Sequence, residues 1–340
     1  MSRSYFAPWR TASRLRCRSG ARYSSCSRPS VSLSPEQQPP IAYHFLNTPI
    51  PYDIGLQLQE DIVDARTEWR SRRKAAANTE APQDGEGDVV LLLEHTPTYT
   101  TGRRDLALAA ADTHPEQAKI LHSGAEFHQT KRGGQVTYHG LGQLVGYPIL
   151  DLGPNGMSYI LATYARAVMS ESRIRGAHRA EILAPHPGGH VGVFVGVEEK
   201  LASIGIQIRH RITSHGFAIN VTTEPIPWFD LVTACGLNDV RATSLEGVLT
   251  GQRCPERGEK DAEPVLTVDR VANHLMPFFG AKFNRRMISL QQIISPQERT
   301  SSDETRDIWS RVWKLIRSAE TEARSRLASC ELPRRPRQGM

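Results

Sequence analysis

The chain is poor in the features that mark several protein classes. It has only five cysteines among 340 residues (Cys17, Cys26, Cys235, Cys254 and Cys330). They are odd in number, widely spaced and include no C-x-x-C pair, which argues against a disulfide framework and a four-cysteine zinc site and for a reducing compartment. No run of about 18 apolar residues occurs, so no membrane-spanning helix is expected. Aromatic residues make up just 7%, yet the 39% hydrophobic content is too high for a disordered chain. No acidic residue precedes Glu36. The segment 1–35 instead carries seven arginines (Arg3, Arg10, Arg14, Arg16, Arg18, Arg22, Arg28) and ten serines. Those seven arginines exceed the formal net charge of +6, so the remaining chain is close to neutral and gives no sign of nucleic-acid binding. An Arg- and Ser-rich, acid-free segment without an apolar h-region has the composition of a mitochondrial transit peptide, so a matrix location is expected, the alternative being a disordered basic tail.

Beyond Pro40 the chain reads as a mixed α/β (α+β) body. Apolar residues at Ile54, Leu58, Ile62, Ala65 and Trp69 follow helical spacing over Asp53 to Arg73. Residues 74–88 lack periodicity and read as a surface loop, and Val89 to His95 reads as a buried strand. Further strands are expected at Gly134 to His139, Leu144 to Leu150, Gly192 to Gly196, Leu201 to Arg209 and Gly216 to Val221, with a turn at Arg211 to His215. Helices are expected at Ser158 to Arg173 and Val268 to Phe279, and a final one within Pro296 to Leu327 that places Ile308, Val312, Leu315 and Ile316 on one side. Residues 36–295 form the expected catalytic domain, with insertions near 74–88, 176–190 and 251–264; residues 296–340 form a helical extension with a basic end.

Three blocks hold the chemistry. In Arg132-Gly133-Gly134-Gln135-Val136-Thr137-Tyr138-His139, followed by Gly140-Leu141-Gly142-Gln143, the glycines permit close backbone approach to a ligand, and exposed N–H groups there can hold an oxyanion. The block lacks the Lys-Ser/Thr ending of a P-loop and the Gly-x-Gly-x-x-Gly of a dinucleotide site. A plain glycine-rich hairpin would look the same. The second block runs from Lys200 through Ser203-Ile204-Gly205 to Arg209, returning along Gly216-Phe217-Ala218. A lysine opening such a strand is either solvated or, at a pocket wall, desolvated and fit for proton transfer, and its position alone leaves both open. The third block is Ala234-Cys235-Gly236, where a thiol on a loop is either a small buried hydrophobe or a nucleophile activated by a nearby base. His186 and His190 stand four apart, but prolines and glycines between and around them forbid a shared helical face, so no metal site is expected.

Taken together these blocks, with Leu92-Leu93-Glu94-His95, Tyr99-Thr100-Thr101-Gly102-Arg103-Arg104 and Thr243-Ser244-Leu245, resemble the lipoyl(octanoyl) transferases from about Val89 to Leu290. The resemblance implies a mixed sheet flanked by helices, like the catalytic core of biotin and lipoate protein ligases. It implies a Cys235–Lys200 acyl-transfer dyad and an acyl pocket formed by Arg132 through His139, Ser203 through Gly205, and Gly216 through Ala218. It further implies a monomer without metal or cofactor, an octanoyl-acyl carrier protein as donor, and as acceptors the lipoyl domains of the glycine cleavage H protein and of 2-oxoacid dehydrogenase E2 subunits. Arg103, Arg104, Lys131, Arg132, Arg209 and Arg211 offer a basic surface to an acidic carrier. Ala234 stands where many members have proline, and residues 184–190 have no counterpart. An ATP-dependent lipoate or biotin ligase is the competing enzyme, although Gly102-Arg103-Arg104-Asp105 is a poor adenylate loop and such ligases do not need Cys235. A non-catalytic protein that docks carrier or lipoyl domains is the alternative from another class.

Overall fold

In the computed structural model, which describes residues 34–75, 85–108, 117–151, 182–183, 190–232, 240–251, 266–295 and 303–336, the apolar run Val89–Leu93 is a strand buried on both faces. In chain order the elements are β1 (Ile41–Phe45), α1 (Tyr52–Ala75), β2 (Val89–Leu93), β3 (Thr98–Thr101), α2 (Arg103–Leu108), α3 (Gln117–His122), β4 (Glu126–Gln129), β5 (Thr137–His139), β6 (Gln143–Ile149) and β7 (Ile182–Leu183). They continue with β8 (Val193–Val195), β9 (Glu199–Arg209), β10 (Ile212–Asn220), α4 (Ile226–Phe229), β11 (Arg241–Ala242), α5 (Leu245–Gly251), α6 (Val268–Phe283), β12 (Met287–Ser289), α7 (Leu290–Ile294) and α8 (Asp303–Leu327).

Among the described residues the main sheet runs β12-β1-β2-β6-β10-β9-β8-β7. β1 lies parallel to both β12 and β2, whereas the neighbours from β2 onward are antiparallel. β11 pairs in parallel with Glu199–Lys200 and takes up the β9 ladder where β10 ends. This is the expected mixed sheet. Alternation along β2 sends Val89, Leu91 and Leu93 to one core and Val90 and Leu92 to the other. The first core is covered by α1, through Ile54, Leu58, Ile62, Ala65 and Trp69, and by α8, through Ile308, Trp309, Val312 and Ile316. The second is covered by α6, through Val271, Leu275, Met276 and Phe279. Ion pairs rim the α1–α8 seam, Arg311 to Glu68 and Arg326 to Asp53, both at 2.7 Å. Water screens such exposed pairs, so the apolar stripe holds the seam.

Strands β4, β3 and β5 form a separate small sheet. Behind it Tyr99, Tyr138, Trp228 and Phe229 make a third, aromatic core, with Tyr138 stacked on Trp228 at 5.2 Å and 7°.

Two expectations need correction. The β9–β10 connection is not a turn over Arg211 to His215. It is a tight turn at His210 and Arg211, both at positive φ (52° and 70°), and the return strand starts at Ile212. That is the twist a two-residue hairpin needs, made here by residues other than the usual Asn-Gly. The strand expected from Gly134 begins only at Thr137, because Arg132 to Gln135 is a loop. The final helix, Asp303–Leu327, lies within the expected stretch. The helix expected at Ser158 to Arg173 and the insertion at 251–264, apart from Gly251, lie outside the described residues, as do 176–181 and 184–189.

Candidate active site

The loop Arg132 to Gln135 connects β4 to β5 within the small sheet and lies against β9 of the main one. Its arginine folds back on its own backbone. The Arg132 guanidinium donates to Thr100 O at 2.7 Å, Thr100 Oγ1 at 2.9 Å, Gly133 O at 3.0 Å and Gln135 O at 2.8 Å. Arg103 N donates to Arg132 O and Arg104 N to Gly134 O, while Gly133 N reaches Ile206 O of β9 at 3.3 Å. The loop is thus clasped between the start of α2 and the middle of β9. Gly134 sits at φ +96°, where a side chain would be strained, and a Cβ on Gly205 would stand 2.7 Å from Gly133 O. Glycine at both places lets two backbones close over the sheet.

Between this loop and the β9–β10 hairpin lies a cavity of about 330 Å³, at the small end of the ~300–1,000 Å³ typical of ligand sites. Its floor is made by cross-strand pairs: Ser203 opposite Ala218, Ile204 opposite Phe217 and Gly205 opposite Gly216. The glycine pair leaves a trough without side chains. Arg132, Gly133, Gly134, Gln135, Thr137 and His139 line the loop side, and Lys200 lines the cavity from the start of β9. Val136 and Tyr138, expected in the acyl pocket, do not line the cavity. The period-2 alternation of β5 turns Thr137 and His139 toward it, whereas Tyr138 enters the aromatic core.

Lys200 Nζ lies 5.8 Å from the centre of the Phe194 ring. Its backbone is held on both sides, by Phe194 of β8 and Ala242 of β11, and Thr243 N donates to Lys200 O at 2.9 Å. Cys235 lies outside the described residues. Before its segment Phe229 packs edge-on against Tyr138 at 5.8 Å in the aromatic core, and after it Arg241–Ala242 pair with Glu199–Lys200 at the edge of the site.

Beside the trough lies a group of rings that no sequence motif linked; Tyr52, His139, Tyr147 and His215 line the cavity, and His95 packs among them. Tyr52 of α1 stacks on His139 at 6.0 Å and leans on His95 at 5.0 Å; Tyr147 of β6 contacts His95 at 5.7 Å and His215 of β10 at 6.4 Å. His95 is bracketed by Ile50 O at 2.6 Å from Nδ1 and by the Tyr147 hydroxyl at 2.5 Å from Nε2. Burial holds these histidines neutral, His95 at about 4 and His215 at about 3, and His139 well below its ordinary value with His95 and Arg132 adding to the effect. Burial likewise pushes the Tyr52 hydroxyl up to about 12. The rings come from four distant stretches of chain, so no local spacing signals them. His95, His139 and His215 each stood in a separate motif of the sequence, and Tyr52 and Tyr147 carried no chemical expectation.

The geometry thus combines a partly open trough over the Gly205–Gly216 pair, a lysine at the start of β9, and a group of neutral hydrogen-bonding rings. Such a site suits an acyl chain whose reacting carbonyl lies near an amine. Among the described residues no cluster of histidine, cysteine and carboxylate suited to a metal ion occurs.

Comparison with known proteins identifies the family. The family described as lipoyl protein ligase A/B catalytic domain matches residues 64–275. An octanoyltransferase of Acidobacterium capsulatum is 37% identical over 256 residues, covering 71% of this chain and 90% of that one. An octanoyltransferase of Thermobifida fusca is 31% identical over 255 residues, covering 73% and 92%. A solved structure of lipoate-protein ligase A bound with ATP superposes with a TM-score of 0.48 at 15% identity, over 82% of this chain and 94% of that one. The chain belongs to the lipoyl(octanoyl) transferases of the lipoyl protein ligase A/B family and is an acyltransferase.

Proposed function

We propose that the protein moves an octanoyl group from octanoyl-acyl carrier protein to a lysine of a lipoyl domain through a thioester on Cys235. In the first half-reaction Lys200 takes the Cys235 proton, and the thiolate attacks the donor carbonyl. The carrier's carbon–sulfur bond breaks and its thiolate leaves with the proton returned by Lys200. In the second half an uncharged lysine amine attacks the octanoyl-enzyme. Lys200 receives the amine proton, the amide forms and the Cys235 thiolate is restored. The thioester itself supplies the driving force, so no nucleotide enters the scheme.

The observation that carries this reading is the pairing of β11 with Glu199–Lys200. It brings the strand that follows the Cys235 segment alongside the one lysine of the cavity wall. The trough at Gly205 and Gly216 supports an acyl chain as ligand, and Arg104, which lines the cavity beside Arg132, supports an acidic carrier as its source. The H protein of glycine cleavage and the E2 subunits of 2-oxoacid dehydrogenases are the acceptors this reading assigns. Residues 1–35 then serve as a matrix-targeting leader. A fluorescent protein fused behind them should enter mitochondria, and diffuse fluorescence would overturn that assignment.

Intact mass spectrometry tests the chemistry. The wild-type chain mixed with octanoyl-acyl carrier protein should gain one octanoyl group, Cys235→Ala should gain none, and Lys200→Ala should load far more slowly. A lipoyl domain should then discharge the adduct. Acylation that needs ATP and free octanoate would instead make the protein a ligase, and carrier binding without any acylation would make it a docking protein.

A further inference from the structure

A chain of buried amides runs from the segment beside Lys200 to the cavity, and its direction is fixed at one end. Thr243 O accepts from Asn220 Nδ2 at 2.9 Å. A carbonyl oxygen can only accept, so Asn220 must turn Oδ1 the other way, toward Gln143. Gln143 Nε2 donates to that Oδ1 at 2.9 Å and also to Tyr138 O at 3.2 Å. Two acceptors around one end of the amide leave Gln143 Oε1 facing His139 Nδ1 at 2.8 Å. An amide oxygen again only accepts, so the imidazole proton is on Nδ1. Nε2 is then the nitrogen with the lone pair. No described residue hydrogen-bonds it, it is not among the sealed polar atoms, and His139 lines the cavity.

We propose that Gln143 is a positioning residue that holds His139 as the Nδ1–H tautomer, so that His139 Nε2 accepts an N–H of the amine attacking the octanoyl-enzyme. The proposal rests on the acyl-transfer reading above. Burial above all, with His95, Arg132 and His215, keeps the imidazole neutral while it does so, and these are among the groups that face it. Those groups are Arg132 from the glycine loop, His95 after β2, His215 on β10 and the Tyr52 ring of α1, with His128 of β4 behind Tyr52. A neutral acceptor at this place leaves the amine proton for Lys200 and aligns the nitrogen lone pair on the carbonyl. Thr243, where the amide chain begins, also donates its N–H to Lys200 O, so both proton-handling groups are held by one hydrogen-bonded unit.

Nitrogen NMR of the full-length chain carrying 15N-histidine, with His139 assigned by its loss in His139→Gln, reads the tautomer directly. The proposal expects a protonated Nδ1 and a bare Nε2 at pH 7, and the opposite tautomer overturns it. Kinetics then follow the two half-reactions separately. Gln143→Met removes the acceptor and should slow discharge by a lipoyl domain, relative to loading, by about tenfold or more. Gln143→Glu keeps the acceptor but adds a negative charge that favours the imidazolium, so the acid limb of discharge should move to higher pH. Discharge unchanged in rate and pH profile in both variants would overturn the proposal. A wild-type chain that never loads octanoate would instead refute the acyl-transfer reading, and the NMR tautomer would still decide the role of Gln143.

Discussion

Arg132 and Gly205 divide one task. The guanidinium ties the loop to Thr100, and the missing side chain at Gly205 lets that loop lie on β9. Gly205→Ala should therefore leave a folded protein, since overpacking typically costs about 1–3 kcal/mol. The new Cβ, 2.7 Å from Gly133 O, must push that backbone oxygen away, which shifts the cavity wall. Octanoyl loading should fall by roughly ten- to a hundredfold, in line with the cost of sub-ångström to ångström misplacement at reacting centres. Stopped-flow or quenched loading assays beside a melting curve check this, and an unaltered loading rate would refute the close-approach argument. The block containing Arg132 to His139 was legible as a unit because its glycines and its His are adjacent in sequence. Which of its side chains face the cavity was not, because that depends on the register of β5 and the position of the aromatic core that claims Tyr138.

At the scale of elements, charge stitches the first core to its surroundings. Asp88, fully buried, accepts from Arg66 Nη2 and Arg285 Nη1, each at 2.5 Å, and from Asp151 N at 2.7 Å. It joins the start of β2 to α1 and to the turn before β12. Asp88→Ala should cost about 3–5 kcal/mol, because two largely buried guanidiniums lose their counter-charge; Asp88→Asn, which keeps an acceptor, should cost less. Denaturant midpoints measure both, and a loss below 1 kcal/mol in Asp88→Ala would show that solvent reaches the cluster. Long amphipathic pieces such as α1 and α6, and the apolar run of β2, were readable from periodicity. β3 and β4 were not: Thr-Tyr-Thr-Thr and Glu-Phe-His-Gln have little apolar alternation, and their pairing partners lie far along the chain. The same holds for β1, a short strand whose neighbours are β2 and β12.

The whole molecule carries a pH dependence that follows from its group of buried rings. His95, His139 and His215 are neutral in the fold and titrate near 6.5 when unfolded. Their folded values are depressed, so between about pH 6.5 and 4 the unfolded chain binds more protons than the native one and acid favours unfolding. The stabilisation is fully present above about 6.5 and is lost as pH falls, with His95 alone accounting for up to about 3 kcal/mol across that window. The melting temperature should therefore drop steeply from pH 6.5 to 4.5, and less steeply in His95→Gln. A flat profile in the wild type would mean that the rings are protonated in place.

β1, which opens the described body, lies between β2 and β12, and α8 covers the same core as α1. The two ends of the body are thus stitched together. During synthesis β12 and α8 follow the rest of the described body, so until both are made β1 lacks one of its two partner strands and the first core lacks one of its two covering helices. Closing the fold is thus a step between its two ends, the longest sequence separation it contains.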